Sequence, residues 1–321
     1  MDIEHDFREL GVAASKFLSS MSMPFKISKD TARFDELKSL IKEMKTGRPI
    51  FVAGMYRIGK TSIMKAAISY FPGSIQLHSG DDLRTSIGWV PGDKELESIK
   101  DHEKRIERYF EKYKRAYVML DEWNYFRGQE AELIRLVSKY KRFIIGFAGA
   151  SYYHYIGALL KDFREIGPVY VRPPSHSDAE KVIKAIFYGK NVAIEDSARE
   201  YLLKETNYLP FLFVPLIDVI AELVVENPTD SKLRELSIES KNKYVITENA
   251  VRNRIVWAIT KSRTKIFIVD YTDQYPIMRA DTFQLENPLA QHFLSIGLIE
   301  KVELMGDIYR LKGEFVRFVA K

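Results

Sequence analysis

An α/β fold built on a parallel sheet, followed by a small helical lid domain and a C-terminal winged helix-turn-helix, is what this sequence predicts. Three observations carry the prediction. Apolar strand-like runs alternate with helical segments from residue 49 to residue 172, then Pro173-Pro174-Ser175 breaks the chain and helical periodicity takes over. The last part closes on helix, strand, turn, strand. Alternation of the first kind gives a parallel sheet with both faces covered. At 321 residues the chain is long enough for two or three compact units. The spans read as 1–24, an N-terminal helical extension; 25–174, the sheet domain; 175–240, the helical domain; and 241–321, the winged domain.

The elements follow in order. Phe7, Leu10, Phe17 and Leu18 recur at helical spacing before a Ser-Met-Ser-Met-Pro break. Thr31 to Met44 repeats the pattern with Phe34, Leu37, Leu40 and Ile41 on one face. Strands are expected at Ile50 to Ala53, Ile75 to His78, Tyr117 to Leu120, Phe143 to Phe147 and Val169 to Arg172. Helices are expected at Thr61 to Tyr70, Lys94 to Lys114 and Glu130 to Tyr140, and residues 79 to 92 show little periodicity and read as a loop. Ser177, with Glu180 three residues on, resembles a capping box opening a helix over 178 to 188. Further helices are expected at 195 to 205 and 211 to 226, divided by Asn207-Tyr208-Leu209-Pro210. The last domain then opens with a helix from Tyr244 through Ile259. Another helix runs from Asn287 to Ile296, a hairpin turns at Met-Gly-Asp, and a closing helix reaches Val319.

Two motifs sit on the strand ends. Residues 54 to 61 read Gly-Met-Tyr-Arg-Ile-Gly-Lys-Thr, a full match to G-x-x-x-x-G-K-[ST], with an apolar strand before and a helix after. Glycines at both ends let the backbone curl its N–H groups inward around a phosphate without Cβ clashes. Gly54, Met55, Tyr56, Arg57, Ile58, Gly59, Lys60, Thr61 and Ser62 are therefore expected to line a triphosphate site. Lys60 reaches the β- and γ-oxygens, and the Thr61 hydroxyl ligates Mg²⁺. The side chain of Arg57 is expected to point to solvent or a subdomain interface. The second motif, Ala116-Tyr-Val-Met-Leu-Asp-Glu122, is an apolar strand closed by two carboxylates, a Walker B pattern. Asp121 would hold the metal and Glu122 would polarise the attacking water.

The strand Arg142-Phe-Ile-Ile-Gly-Phe-Ala-Gly-Ala-Ser151 is expected between the two motifs in space. That puts Ser151 beside the γ-phosphate as a sensor that orients water. Arg164 and Arg172 are the candidates by position for an arginine acting on the γ-phosphate. In the C-terminal part Arg252, Arg254, Lys261, Arg263 and Lys265 cluster around Trp257, a possible phosphate-contacting stripe for double-stranded DNA. The helix before the hairpin, from Asn287, holds no Lys or Arg, which argues against sequence-specific base reading.

Composition bounds the rest. Cysteine is absent, which excludes disulfides and thiolate metal sites and makes a cytoplasmic protein the default. No window approaches the apolar length of a bilayer span, and the acidic, mixed N-terminus is no secretory signal. A net charge of +5 permits a polyanion partner without requiring one.

With these residues in hand, the chain resembles the archaeal ATPase family, a branch of the STAND NTPases related to AAA+ proteins, over most of residues 25 to 321. Arg33-Phe-Asp-Glu-Leu is similar to the family's R-x-x-E-L start, and Gly54 to Ser62 to its arginine-containing phosphate loop. Leu120-Asp-Glu matches Walker B, and Phe147-Ala-Gly-Ala-Ser stands where the family has its Gly-Ser sensor. The resemblance implies an ASCE/AAA+-like P-loop core that binds ATP and Mg²⁺, and places Arg33 near the adenine. The family's Gly-x-Pro element corresponds to Tyr208-Leu209-Pro210, where proline stays and glycine does not.

The leading expectation is an ATPase that swings the helical and winged domains against the sheet between its ATP and ADP states. Alternatives are an ATP-licensed DNA-binding protein similar to replication initiators or transposition regulators, and a non-hydrolysing nucleotide-binding signalling scaffold. Protein partners or self-assembly remain open, and a small-molecule kinase is disfavoured because no arginine-clustered lid follows Walker B.

Overall fold

A computed structural model describes residues 33–54, 58–78, 80–122, 126, 128–148, 168–187, 192–206, 208–210, 213–214, 216–217, 220, 231–234, 243–253, 275–295, 298–302 and 306–312. The helix expected over 1–20, the closing helix expected to reach Val319 and most of the helix over 211–226 lie outside the described residues.

The sheet domain opens with helix α1 (Phe34–Met44), which buries Leu37, Leu40 and Met44. Strand β1 (Ile50–Gly54) follows, buried along its whole length as a parallel strand covered on both faces should be. Helix α2 (Lys60–Ile68) and strand β2 (Ile75–Leu77) come next. Short helices α3 (Leu83–Ser86) and α4 (Lys94–Ser98) lead to α5 (His102–Lys112), β3 (Val118–Leu120), α6 (Glu130–Tyr140), β4 (Phe143–Ala148) and β5 (Pro168–Tyr170).

The five strands form one sheet in the order β2-β3-β4-β1-β5, every pair parallel. Side chains alternate across it. Ile50, Val52, Met119 and Ile144 pack on one face with Ile63, Met64 and Leu40, while Phe51, Ala53, Val118, Leu120 and Ile145 pack on the other with Leu133, Leu136 and Tyr109. Because β4 lies between β1 and β3, the phosphate-loop strand and the acidic strand are next-but-one neighbours. Their carboxyl ends share one edge, where ligands of parallel sheets bind.

Several expectations change. The single charged helix over 94–114 is two helices, because Asp93 and Asp101 each cap a start: Leu96 N–H donates to Asp93 (3.3 Å) and Lys104 N–H to Asp101 (3.1 Å). The loop over 79–92 contains α3, capped by Asp82 through the Thr85 N–H (2.9 Å).

Behind the Pro-Pro break, α7 (His176–Phe187) begins earlier than the predicted box. The Asp178 N–H donates to the Ser175 hydroxyl oxygen (3.2 Å), so Ser175 rather than Ser177 is the capping side chain. Strand β6 (Val192–Ile194), helix α8 (Asp196–Glu205), strand β7 (Ser231–Arg234) and strand β8 (Lys243–Ile246) follow. They form a second sheet in the order β6-β8-β7, with β6 parallel and β7 antiparallel to β8.

The span 175–240 is therefore not all helical, and its predicted end falls between two strands of one sheet. The helix expected from Tyr244 starts later: Tyr244, Val245 and Ile246 continue the sheet, as β-branched and aromatic residues favour, and residues 248–253 are helical. Strand β9 (Phe283–Gln284), helix α9 (Asn287–Ser295) and strands β10 (Ile299–Lys301) and β11 (Ile308–Leu311) complete the described chain. The predicted hairpin is present as antiparallel β10 and β11. Strand β9, too short to show a period, adds to the far side of β11.

Candidate functional site

The chain leaves β1 at Gly54, where a side chain would meet the Val171 carbonyl at 2.8 Å and Ile58 Cγ2 at 2.9 Å. Only glycine lets the loop turn this close to the end of β5. The loop re-enters the described residues at Ile58 and turns into α2 through Gly59, whose φ of 98° is a left-handed conformation that also calls for glycine. Ile63 N–H to the Gly59 carbonyl (3.0 Å) is the first bond of the helix ladder. The N–H groups of residues 60 to 62 therefore lie at its positive end. Lys60 is buried, at 5% exposure.

Across the sheet edge, Asp121 follows β3 directly and is also buried. The Thr61 hydroxyl donates to its carboxylate, at 2.9 Å to Oδ2 and 3.2 Å to Oδ1. Two residues predicted as partners around one cation thus meet, although 60 positions separate them. Gln76 of β2 donates its amide to Asp121 Oδ2 at 3.3 Å, a contact no motif foretold. Glu122 is half-buried and stands at φ 53°, a left-handed conformation that costs a side-chain-bearing residue about 1–2 kcal/mol. Such strain survives where the surroundings over-determine it, commonly at functional sites.

A hydroxyl beside a carboxylate is an all-oxygen donor pair. It suits a hard cation that keeps water and phosphate oxygens as its remaining ligands, which is how Mg²⁺ is usually held. Thr61 and Asp121 would hold it.

Arg33, which the resemblance places near the adenine, lies against the phosphate loop. It is the N-cap of α1, 2% exposed, with φ 63°. Its guanidinium donates to the Ile58 carbonyl (2.8 Å), to Glu36 (3.0 Å) and to the Arg172 carbonyl. Burial raises the Glu36 carboxyl above its ordinary value, and the charge and hydrogen bond of Arg33 oppose that rise. Arg172 itself is exposed, one residue beyond Val171. A cavity of about 630 Å³ runs beside α1 and β5, with Glu36, Glu43, Arg48 and Arg172 in its wall and none of the described loop residues.

Met55, Tyr56, Arg57, Ser151 and Arg164 lie outside the described residues, as do Arg254, Trp257, Lys261, Arg263 and Lys265. Arg252 is described: its guanidinium pairs with Glu248 at 2.7 Å and stacks 3.9 Å from the Tyr201 ring centroid. Among the described residues no helix is long and apolar enough to cross a membrane.

No protein-family model and no curated protein matches this sequence. Solved structures do. One point mutant of Thermotoga maritima RuvB superposes at TM-score 0.51 and 13% identity, covering 84% of this chain and 90% of that one. A second point mutant of the same protein gives 0.51 at 12% identity, covering 88% and 94%. Aeropyrum pernix Orc1 in complex with DNA gives 0.43 at 11%, covering 90% and 91%. The chain shares the RuvB fold. Its parallel five-stranded sheet, flanked by helices, matches the AAA+ P-loop fold of these neighbours.

Proposed function

We propose that this protein is a Mg²⁺-dependent ATPase whose nucleotide state moves the parts behind residue 174 against the sheet. The observation that carries the reading is the Thr61 hydroxyl on the Asp121 carboxylate, which joins the phosphate loop and the acidic strand end into one site. Lys60 and the N–H groups at the start of α2 bind the β- and γ-phosphates. Glu122 accepts a proton from the attacking water and orients it, and Ser151, which follows the β4 run in the sequence, orients the same water. Mg²⁺, which Thr61 and Asp121 would hold, would supply charge neutralisation to the phosphates. The resemblance to the archaeal ATPases has a support of its own: Tyr208, standing where that family has glycine, has φ 59°, a conformation that favours glycine.

The moving parts are read as a lid beginning at Ser175 and a winged helix-turn-helix ending in β10 and β11. An ATP state and an ADP state would differ through contacts to the γ-phosphate. ATP turnover and nucleotide binding of three proteins test the reading. Wild type binds and turns over, Lys60→Ala does neither, and Glu122→Gln binds as wild type while turnover falls by roughly 10²–10⁴. Equal turnover in wild type and Glu122→Gln refutes the assigned base, and tight binding with no turnover in wild type would leave a scaffold. Adding duplex DNA and measuring particle mass in the same experiment tests the DNA-licensed alternative and self-assembly.

A further inference from the structure

An arginine is out of place where Arg33 stands. It begins α1, at the positive end of the helix macrodipole, in a left-handed conformation and almost wholly out of water. Its compensation comes from three separate parts of the chain. The guanidinium donates to the Ile58 carbonyl within the phosphate loop (2.8 Å), to the Arg172 carbonyl beyond β5 and to Glu36. Its backbone N–H donates to Asp178 Oδ1 on α7 at 3.1 Å. Asp178 Oδ2 accepts from the Ser175 hydroxyl at 2.7 Å, so this carboxylate is shared between the starts of α1 and α7.

The Ile58 contact has a geometric consequence. In a trans peptide plane the carbonyl and the following N–H point in opposite directions. Holding the Ile58 carbonyl on Arg33 therefore points the Gly59 N–H the opposite way, away from Arg33. Val171 N–H to the Ala53 carbonyl (2.7 Å) ties β1 to the same end of β5 that Arg33 grips through Arg172.

We propose that Arg33 is a positioning residue for the phosphate loop and, through Asp178, the link by which a change in that loop reaches α7. The proposal rests on the triphosphate reading of the loop. An anion gathered by the loop N–H groups pulls on the Ile58–Gly59 peptide. The guanidinium that holds this peptide belongs to the residue whose N–H holds Asp178, so the start of α7 feels the change.

Hydrogen exchange on the full chain, with and without Mg·ATP, tests both halves. Without nucleotide, Arg33→Ala is expected to speed exchange of amides 58–61 at least tenfold. Arg33→Lys, which keeps the charge but not the two-carbonyl fork, is expected to fall between. Leu40→Ala, a loss of packing in the middle of α1, supplies a destabilised chain in which those amides exchange no faster than the rest of the sheet domain. With Mg·ATP, amides 175–181 gain protection in wild type and in Ser175→Ala, which removes the cap but keeps the carboxylate, and gain none in Asp178→Ala. The proposal is overturned if Arg33→Lys and Leu40→Ala match at residues 58–61, or if Ser175→Ala and Asp178→Ala respond alike to nucleotide. A wild type that takes up no ATP would remove the triphosphate reading, while the nucleotide-free comparison still decides whether Arg33 holds the loop.

Discussion

Glu122 joins the chemistry proposed for the site to a structural cost in a single residue. Its left-handed backbone favours glycine, yet the chemistry proposed for the site needs a carboxylate there. Replacing it therefore separates the two demands. Glu122→Gly is expected to lose turnover and to melt no lower than wild type, because relief of roughly 1–2 kcal/mol of strain offsets the larger entropy of a glycine in the unfolded chain. Calorimetry beside an ATPase assay checks this, and a clear fall in melting temperature would mean that the conformation is not strained. Lys60, Thr61, Asp121 and Glu122 were legible in the sequence as candidates because each belongs to a short motif of neighbours along the chain. Gln76 and Asp178 were not. Gln76 reaches Asp121 only because β2 pairs with β3, and Asp178 reaches Arg33 across 145 positions. Arg33 was visible as a residue of interest, but its contacts with Ile58 and Arg172 depend on how α1 packs against the loop and β5.

Caps and strand pairing decide the elements where sequence periodicity misleads. Asp93 receives the Leu96 N–H, the Lys112 ammonium at 2.8 Å and the Tyr113 hydroxyl at 2.8 Å, so it ties the start of α4 to the end of α5. Hydrogen bonds from Lys112 and then Tyr113 hold its carboxyl down to about 2, from an ordinary 3.8. A carboxyl whose folded value is depressed contributes stability that is complete above its unfolded value and lost as pH falls through the folded one. The Asp93 contribution is thus present above about pH 4 and fades towards pH 2. Lys112 is shifted up by its hydrogen bonds to Asp93 and then Glu95, so its contribution is complete below its ordinary range and fades only in strong alkali. Melting temperature against pH is expected to fall less steeply between about pH 4 and 2 in Asp93→Asn than in wild type; parallel curves would contradict the assignment. The same capping explains why 94–114 reads as one helix and folds as two: the charge pattern continues through Ile99-Lys100-Asp101, but Asp101 offers its carboxylate to the next turn. Strand β8 hides for another reason, since Lys243–Ile246 extends only where β6 and β7 are there to pair with it.

At the scale of the whole molecule, the parallel sheet was legible and the layout behind it was not. The alternation from residue 49 needs only local periodicity and returned all five strands, because each is an apolar run in a sheet covered on both faces. The second sheet joins segments near residues 193, 233 and 245, pairings that no local pattern specifies. One consequence is that the chain cannot be divided at residue 240 without removing β8, the middle strand. A protein ending there is expected to lose hydrogen-exchange protection over β6 and α8 while β1 to β4 keep theirs; protection retained over residues 192–205 would show that β8 is dispensable.

The central claim is that the loop and the acidic strand end act as one site, and calorimetric titration of Mg·ATP into wild type, Thr61→Ala, Asp121→Ala and the double variant tests it most directly. Each single change is expected to weaken binding, and the double to be no weaker than the worse single, a coupling of roughly 0.5–3 kcal/mol between residues that share a partner. Losses that simply add, or a wild type that binds Mg·ATP no better than the double variant, would contradict it.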